Sequence, residues 1–281
     1  MSINTICVIG AGTMGSGIAL ASAQSGFRTL LFDINTEVLA KAKVSIQKNL
    51  QFLVDKQKIS AEEKETVFSH IQFIADTKEC LADVIIEAII EKVEAKVSIF
   101  NQLADVNPAD TIFATNTSSL SISEIQSTII HPQRVVGMHF FNPANIMKLV
   151  EVVKGTQTSD AVAQTIYDLC LQMKKTPVLC KDAPGFIVNR VARHYYLEAM
   201  KLVETGIASF ENVDDIMEAT GFKMGPFRLM DLIGMDINLA VSQSLYDACN
   251  KAERFKPSPI QIDKVAKGQL GKKTGKGFYQ Y

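Results

Sequence analysis

Short β-branched and aliphatic runs alternate with longer segments of helical period through most of the chain, and this alternation limits the fold more than any other feature. The runs are TICVIG, RTLLFD, IQFI, DVIIEA, TIFAT, RVVGMHF, LVEVV and TPVLC. Between them lie Met14 to Gln24, Glu37 to Leu53, Glu62 to Phe68, Lys92 to Leu103 and Ser159 to Met173, with apolar residues recurring every three or four positions. Strands that alternate with helices build parallel βαβ units, so the expected class is α/β with a doubly wound, mostly parallel sheet. Hydrophobic residues make up 47% of the 281, enough for a sizeable core.

Strand signals stop after Cys180. Asp182-Ala183-Pro184-Gly185 then gives a turn, a helix is expected from about Ile187 to Glu204, and the remainder reads as helices punctuated by Gly206, Gly221, Gly225-Pro226 and Gly234. Two domains follow from this, residues 1–184 carrying the sheet and a smaller, all-helical domain over 185–281. Twenty-nine basic against 30 acidic residues leave a net charge of -1, which excludes a global field that recruits nucleic acid or an anionic membrane. The N-terminal residues run straight into an apolar strand without an export signal, and no segment has the length of a membrane span. The five cysteines form no CxxC pair, so reduced thiols, no metal site and a cytoplasmic location are expected.

Gly10-Ala11-Gly12-Thr13-Met14-Gly15 fits GxGxxG, a weak pattern that gains meaning from its place between a strand and a helix. In that setting Gly10 makes the tight turn, Gly12 admits a pyrophosphate to the backbone, and Gly15 lets helix and strand pack closely. The helix N-terminus then offers N–H groups to the phosphates. Asp33 ends the second run, where a carboxylate accepts from ribose hydroxyls and repels a 2′-phosphate. A Rossmann-like domain selecting NAD over NADP is the expectation.

The segment from Arg134 to Val153 holds the candidate chemistry. One strand delivers His139 to its carboxyl end, where doubly wound sheets place their ligands, and imidazole can exchange a proton near neutrality as a hydride leaves carbon. The next strand carries Glu151 in the apolar run LVEVV, where a buried charge needs a partner. His139 is the natural one, with the carboxylate fixing the tautomer and stabilising the imidazolium. From these two residues alone, a satisfied core histidine beside a solvent-facing glutamate is an equal alternative.

GAGTMG, EAIIE, ATNTSSLSI, GMHFFNPANIMKLVEVV, KDAPGFIVNR, GPFRLMDLIGMD and GKKTGKGFY occur in this order, and across them the chain resembles the 3-hydroxyacyl-CoA dehydrogenase family in its short, single-activity form. The resemblance implies an NAD-dependent interconversion of (S)-3-hydroxyacyl-CoA and 3-oxoacyl-CoA of short chain, 3-hydroxybutyryl-CoA and acetoacetyl-CoA. It puts the catalytic pair on His139 and Glu151, and the groups that hold the substrate's C3 oxygen or thioester on Ser118 and Asn189. It implies cofactor contacts from Asp33, Glu91, Lys96, Ser118, Asn142 and Lys273, beside the Gly10 to Gly15 loop. For the CoA portion, Lys56 matches a family lysine, whereas Asn49 stands where the family has serine. Asn145 and Lys92 depart from the family's proline and its asparagine or aspartate.

The resemblance further implies a homodimer through the helical domain and an acyl-CoA thioester as partner, and the acyl site is expected in the cleft between the domains, a common position for ligand pockets. Ile187, Val191, Tyr195 and Met200 form an apolar stripe that serves either a dimer or the domain's own core. Two rival functions stand beside this one. A dehydrogenase of the same fold could act on a free hydroxy or sugar acid, and a crystallin-like protein could keep the dinucleotide fold without turnover.

Overall fold

A computed structural model describes residues 2–281, which fall into two compact units, Met1–Ala183 and Pro184–Tyr281. The first contains strands β1 (Thr5–Ile9), β2 (Arg28–Phe32), β3 (Ile71–Ile74), β4 (Val84–Glu87), β5 (Ile112–Thr115), β6 (Val135–Phe140), β7 (Leu149–Lys154) and β8 (Thr176–Lys181). Its helices are α1 (Thr13–Gln24), α2 (Thr36–Asp55), α3 (Ala61–Ser69), α4 (Val93–Ala104), α5 (Ile122–Gln126) and α6 (Asp160–Gln172). All eight apolar runs are strands of one sheet in the order β3-β2-β1-β4-β5-β6-β7-β8. Since β1 starts in the middle and the order reverses between β1 and β4, a crevice forms beyond their carboxyl ends, the usual ligand position in such sheets.

Every neighbouring pair is parallel except β6 and β7. The link between them, residues 141–148, is too short for the dozen or so residues a parallel crossover needs. β7 therefore turns back beside β6. Side chains of the central strands alternate between two cores: Ile6 and Val8 of β1 join the cluster under α1 and α2, while Cys7 and Ile9 join the one under α4. Local chemistry fixes the helix starts. Asn35 caps α2 by accepting from Glu37 N, and Ser60 with Glu63 forms a capping box on α3.

The second unit consists of α7 (Val188–Glu204), α8 (Phe210–Ala219), α9 (Pro226–Ile233), α10 (Met235–Ala248) and α11 (Pro259–Ala266), with two isolated antiparallel bridges in the tail. Its core gathers Tyr196, Met200, Phe227, Met230 and Met235. The α7 stripe divides accordingly: Met200 is buried in this core, whereas Ile187 and Val191 are exposed. Two buried aspartates organise the rest. Asp214 of α8 accepts from the first-turn N–H groups of Phe227 and Arg228, and so caps α9 from outside, since Gly225 has no side chain to do so. Asp231 accepts from the N–H groups of Phe278 and Tyr279 and from the Tyr281 hydroxyl, which binds the tail to α9. A Cβ on Gly277 would stand 1.9 Å from Asp231 Oδ1, so only glycine lets the tail come this close. Among the described residues no helix is long and apolar enough to cross a membrane.

Candidate active site

The glycine loop fits a bound pyrophosphate. Gly10 adopts φ +97° with its ideal Cβ direction 2.8 Å from Ala88 O, and a Cβ on Gly15 would meet Gly10 O at 1.7 Å. These two glycines close the turn. A Cβ on Gly12 would meet nothing within 4 Å, and Gly12 caps α1 without a side-chain bond, so the first N–H groups of the helix lack intrahelical partners beside open space. Ala11 N donates to Asp33 Oδ2 and Asn35 N to Asp33 Oδ1, both at 2.9 Å, which fixes the carboxylate at the end of β2 next to this loop.

A cavity of about 400 Å³ opens beside the α1 N-terminus. Ala11, Gly12 and Thr13 on one side, Asn49 of α2 on another and Asn142 on the 141–148 link all line it, so it unites expected cofactor and CoA residues. Lys41 and Ser45 also face it, although nothing in their helical pattern distinguishes them from a solvated face. Buried Lys175 shapes the far wall by donating to the carbonyl oxygens of Ala144 (2.6 Å) and Met147 (2.9 Å). Gly17 leaves room for the same wall, since a Cβ there would come within 3.2 Å of Ala144 Cβ. Lys56 does not line the cavity; it caps the end of α2 with its ammonium 5.7 Å from the Phe52 ring centre. Asn49 spends its amide on Ser45 O at 3.0 Å.

The antiparallel β6/β7 pairing sets His139 directly opposite Glu151. Their side chains meet, Nδ1 to Oε2, at 2.7 Å, and both residues are buried. With the carboxylate on Nδ1, that nitrogen carries the proton and the imidazole's exchangeable position is Nε2. The Phe141 ring lies 4.5 Å from the imidazole centre. Asn116 Oδ1 accepts from Phe140 N at 2.8 Å, which ties the end of β6 to the loop after β5.

That loop carries Ser118, and one carboxylate gathers it. Glu91 Oε1 accepts from the Thr117 hydroxyl (2.5 Å), the N–H groups of Ser118 (2.9 Å) and Ser119 (3.2 Å), and the Ser119 hydroxyl (3.0 Å). Burial alone would raise the Glu91 pKa, but the Lys96 ammonium, the Thr117 hydroxyl and the Ser118 N–H outweigh it and hold the carboxyl below the usual range. The cap of the following helix, α5, is Ser121 rather than Ser118. Lys96, which helical periodicity alone would place in solvent, is buried beside Glu87 at 2.7 Å and Glu91 at 3.2 Å. Glu87 is absent from the sequence-derived set. The signal was present, because DVIIEA holds a charge at the end of an apolar strand just as LVEVV does.

In the second unit Asn189 lies in the first turn of α7, and Lys273 pairs with Asp236 at 2.6 Å. Among the described residues no group of three His, Cys, Asp or Glu side chains could hold a metal ion.

Comparison with known proteins gives concordant matches. A family model described as 3-hydroxyacyl-CoA dehydrogenase, NAD binding domain, matches residues 5–183, and one described as its C-terminal domain matches 185–281. The 3-hydroxyadipyl-CoA dehydrogenase of Escherichia coli (strain K12) is 44% identical over all of this chain, which spans only 60% of that protein's length. The mitochondrial hydroxyacyl-coenzyme A dehydrogenase of Rattus norvegicus is 39% identical over 99% of this chain and 91% of its own. A crystal structure of 3-hydroxybutyryl-CoA dehydrogenase from Escherichia coli K12 substr. MG1655 superposes with a TM-score of 0.97 at 45% identity, covering 100% of this chain and 60% of that one.

Proposed function

Because the chain belongs to the 3-hydroxyacyl-CoA dehydrogenase family, we propose that it interconverts (S)-3-hydroxyacyl-CoA and 3-oxoacyl-CoA with NAD, taking short acyl chains such as 3-hydroxybutyryl and acetoacetyl. The observation that carries this reading is the buried His139–Glu151 pair on the two antiparallel strands. Bound NAD supplies the hydride acceptor. The protein supplies the rest: His139 Nε2 takes the C3 hydroxyl proton, and Glu151 on the opposite nitrogen stabilises the imidazolium and keeps the ring from turning. In the direction of reduction the same nitrogen returns the proton to the C3 oxygen. Ser118 and Asn189 hold that oxygen or the thioester, so the reacting carbon is positioned before proton transfer.

The glycine loop and the α1 N-terminus are the residues that would hold the pyrophosphate, with Asp33 on the adenosine ribose. Glu91, Lys96, Ser118, Asn142 and Lys273 complete the cofactor set, and Asn49 and Lys56 the CoA set. The molecule acts as a homodimer, a reading supported by the exposed Ile187 and Val191 at the start of α7. Sedimentation that gives a stable monomer at working concentration would refute it. Five free cysteines suit a cytoplasmic setting, which fractionation of the source cells tests.

The deciding experiment is NADH oxidation by acetoacetyl-CoA, followed by absorbance, with NADPH and a free 3-oxo acid in parallel. NADH-specific turnover of the thioester is expected. Turnover of the free acid alone would move the chain to a relative with another substrate, and silence in every assay would favour binding without catalysis.

A further inference from the structure

Glu87 is fully buried at the carboxyl end of β4, beside β1 on one side and β5 on the other, at the place where the strand order reverses. Its carboxylate is saturated. Oε1 accepts from Lys96 Nζ at 2.7 Å and Ile89 N at 2.6 Å; Oε2 accepts from Lys96 Nζ at 2.9 Å and the Thr115 hydroxyl at 2.7 Å. The third direction from Lys96 leads to Glu91 Oε2 at 3.2 Å. A lysine ammonium has three donors, and here three carboxylate oxygens surround it. Lys96 thus bridges the two carboxylates, and Glu91 is the one of them that reaches the surface.

Glu91 is the outlet of this network. It is the half-exposed member, and its other oxygen collects four donors from Thr117, Ser118 and Ser119. Glu87 and Glu91 therefore divide a single buried cation. Were Glu87 neutral, the whole ammonium charge would fall to Glu91, drawing that carboxylate toward α4 and away from the loop.

We infer that Glu87 is a positioning residue: it holds Lys96, Lys96 holds Glu91, and Glu91 sets the backbone that carries the Ser118 hydroxyl. The inference rests on the proposed dehydrogenase reading, in which Ser118 touches the reacting substrate. It assigns a function to a side chain that touches neither substrate nor cofactor.

A double-mutant cycle on the full-length protein tests it, with Glu87→Gln and Thr117→Val made singly and together. Gln keeps the shape and the acceptor for Thr115 but removes the charge; Val removes the hydroxyl bond by which Glu91 grips the loop. Expected for Glu87→Gln are a kcat loss on the order of 10–100-fold with acetoacetyl-CoA, weaker NADH binding by fluorescence, and a melting temperature within a few degrees of wild type. Adding Thr117→Val should cost little more, because both changes cut one line of support. Unchanged kcat and NADH affinity in folded Glu87→Gln, losses that multiply in the double variant, or losses that follow the melting temperature would each overturn the inference. Should Glu87→Gln fail to fold, Glu87→Asp takes its place in the same cycle; its carboxylate keeps the charge but retreats from Lys96 and Thr115, so losses in the same direction but smaller are expected, and wild-type kcat and NADH affinity would overturn the inference. Absence of thioester turnover in the wild type would instead remove the reading beneath it.

Discussion

Each unit buries two carboxylates, but it satisfies them with different partners. Glu87 and Glu151 in the first unit face Lys96 and His139, side chains that carry or exchange a proton. Asp214 and Asp231 in the second face backbone N–H groups and tyrosine hydroxyls, and the nearest cation, Arg228 Nε, stays 3.9 Å from Asp214. Burying a carboxylate costs several kcal/mol unless its oxygens are occupied, and both solutions occupy them. Only the first leaves a group whose charge can change during a reaction. Donors that cannot titrate near neutrality make a fixed staple: the aspartates hold the tail and the start of α9, whereas Glu87 ends β4 and Glu151 lies within β7 opposite His139.

The sharpest way to break this comparison is to remove the titrating partner. His139→Gln should lower kcat by roughly 10²–10⁴ with folding intact. Glu151→Gln should follow at about 10²-fold, because an amide can present its N–H to Nδ1 and favour the wrong tautomer; unchanged turnover would make this pair a staple like those of the second unit. Asp231→Ala is the opposite probe. It leaves two buried N–H groups and a hydroxyl without their acceptor, so urea unfolding should show a loss of about 3 kcal/mol while kcat per folded molecule is kept.

The smallest effects are in the pH dependence, and their signs differ. The Glu91 carboxyl is held below its ordinary range, so its contribution to stability is present above the unfolded carboxyl pKa and is lost as pH falls through the lower folded value. Burial raises Asp214 despite its N–H and hydroxyl donors, so the folded state keeps that proton longer. Its contribution is full below the unfolded pKa and declines as pH rises through the folded one. Urea midpoints from about pH 3 to pH 7 should therefore lose part of their acid-side fall in Glu91→Gln and part of their decline with rising pH in Asp214→Asn. Parallel curves for both variants and wild type would show that neither carboxylate is linked to folding.

Sequence patterns carried the eight strands because each is a short run rich in apolar and β-branched residues, buried on both faces in the central strands and partly exposed in β3 and β8 at the sheet edges, and the GxGxxG loop because its neighbours are a strand and a helix. The pairing of His139 with Glu151 needed more than either residue, since strand direction and register decide who faces whom. Partners far apart in the chain were harder still. Glu87 meets Thr115 only because β4 and β5 lie side by side, and Lys96 reads as solvated until the α4 start is packed over those strand ends. Asp214 and Asp231 are concealed for a similar reason: their donors arrive from later segments whose approach depends on glycines at 225 and 277.

The reversal of β7 separates two kinds of heritable change. Adding or removing a residue in the 141–148 link reshapes a wall of the cavity, yet the residue opposite His139 stays Glu151 as long as the strands themselves are intact. A single insertion inside β7 would instead hand that seat to Val150 or Val152 and turn the carboxylate to the other face. Length variation thus has a permissive address next to the cavity and a forbidden one a few residues on. Indels at the first address leave the contact between His139 and Glu151 untouched.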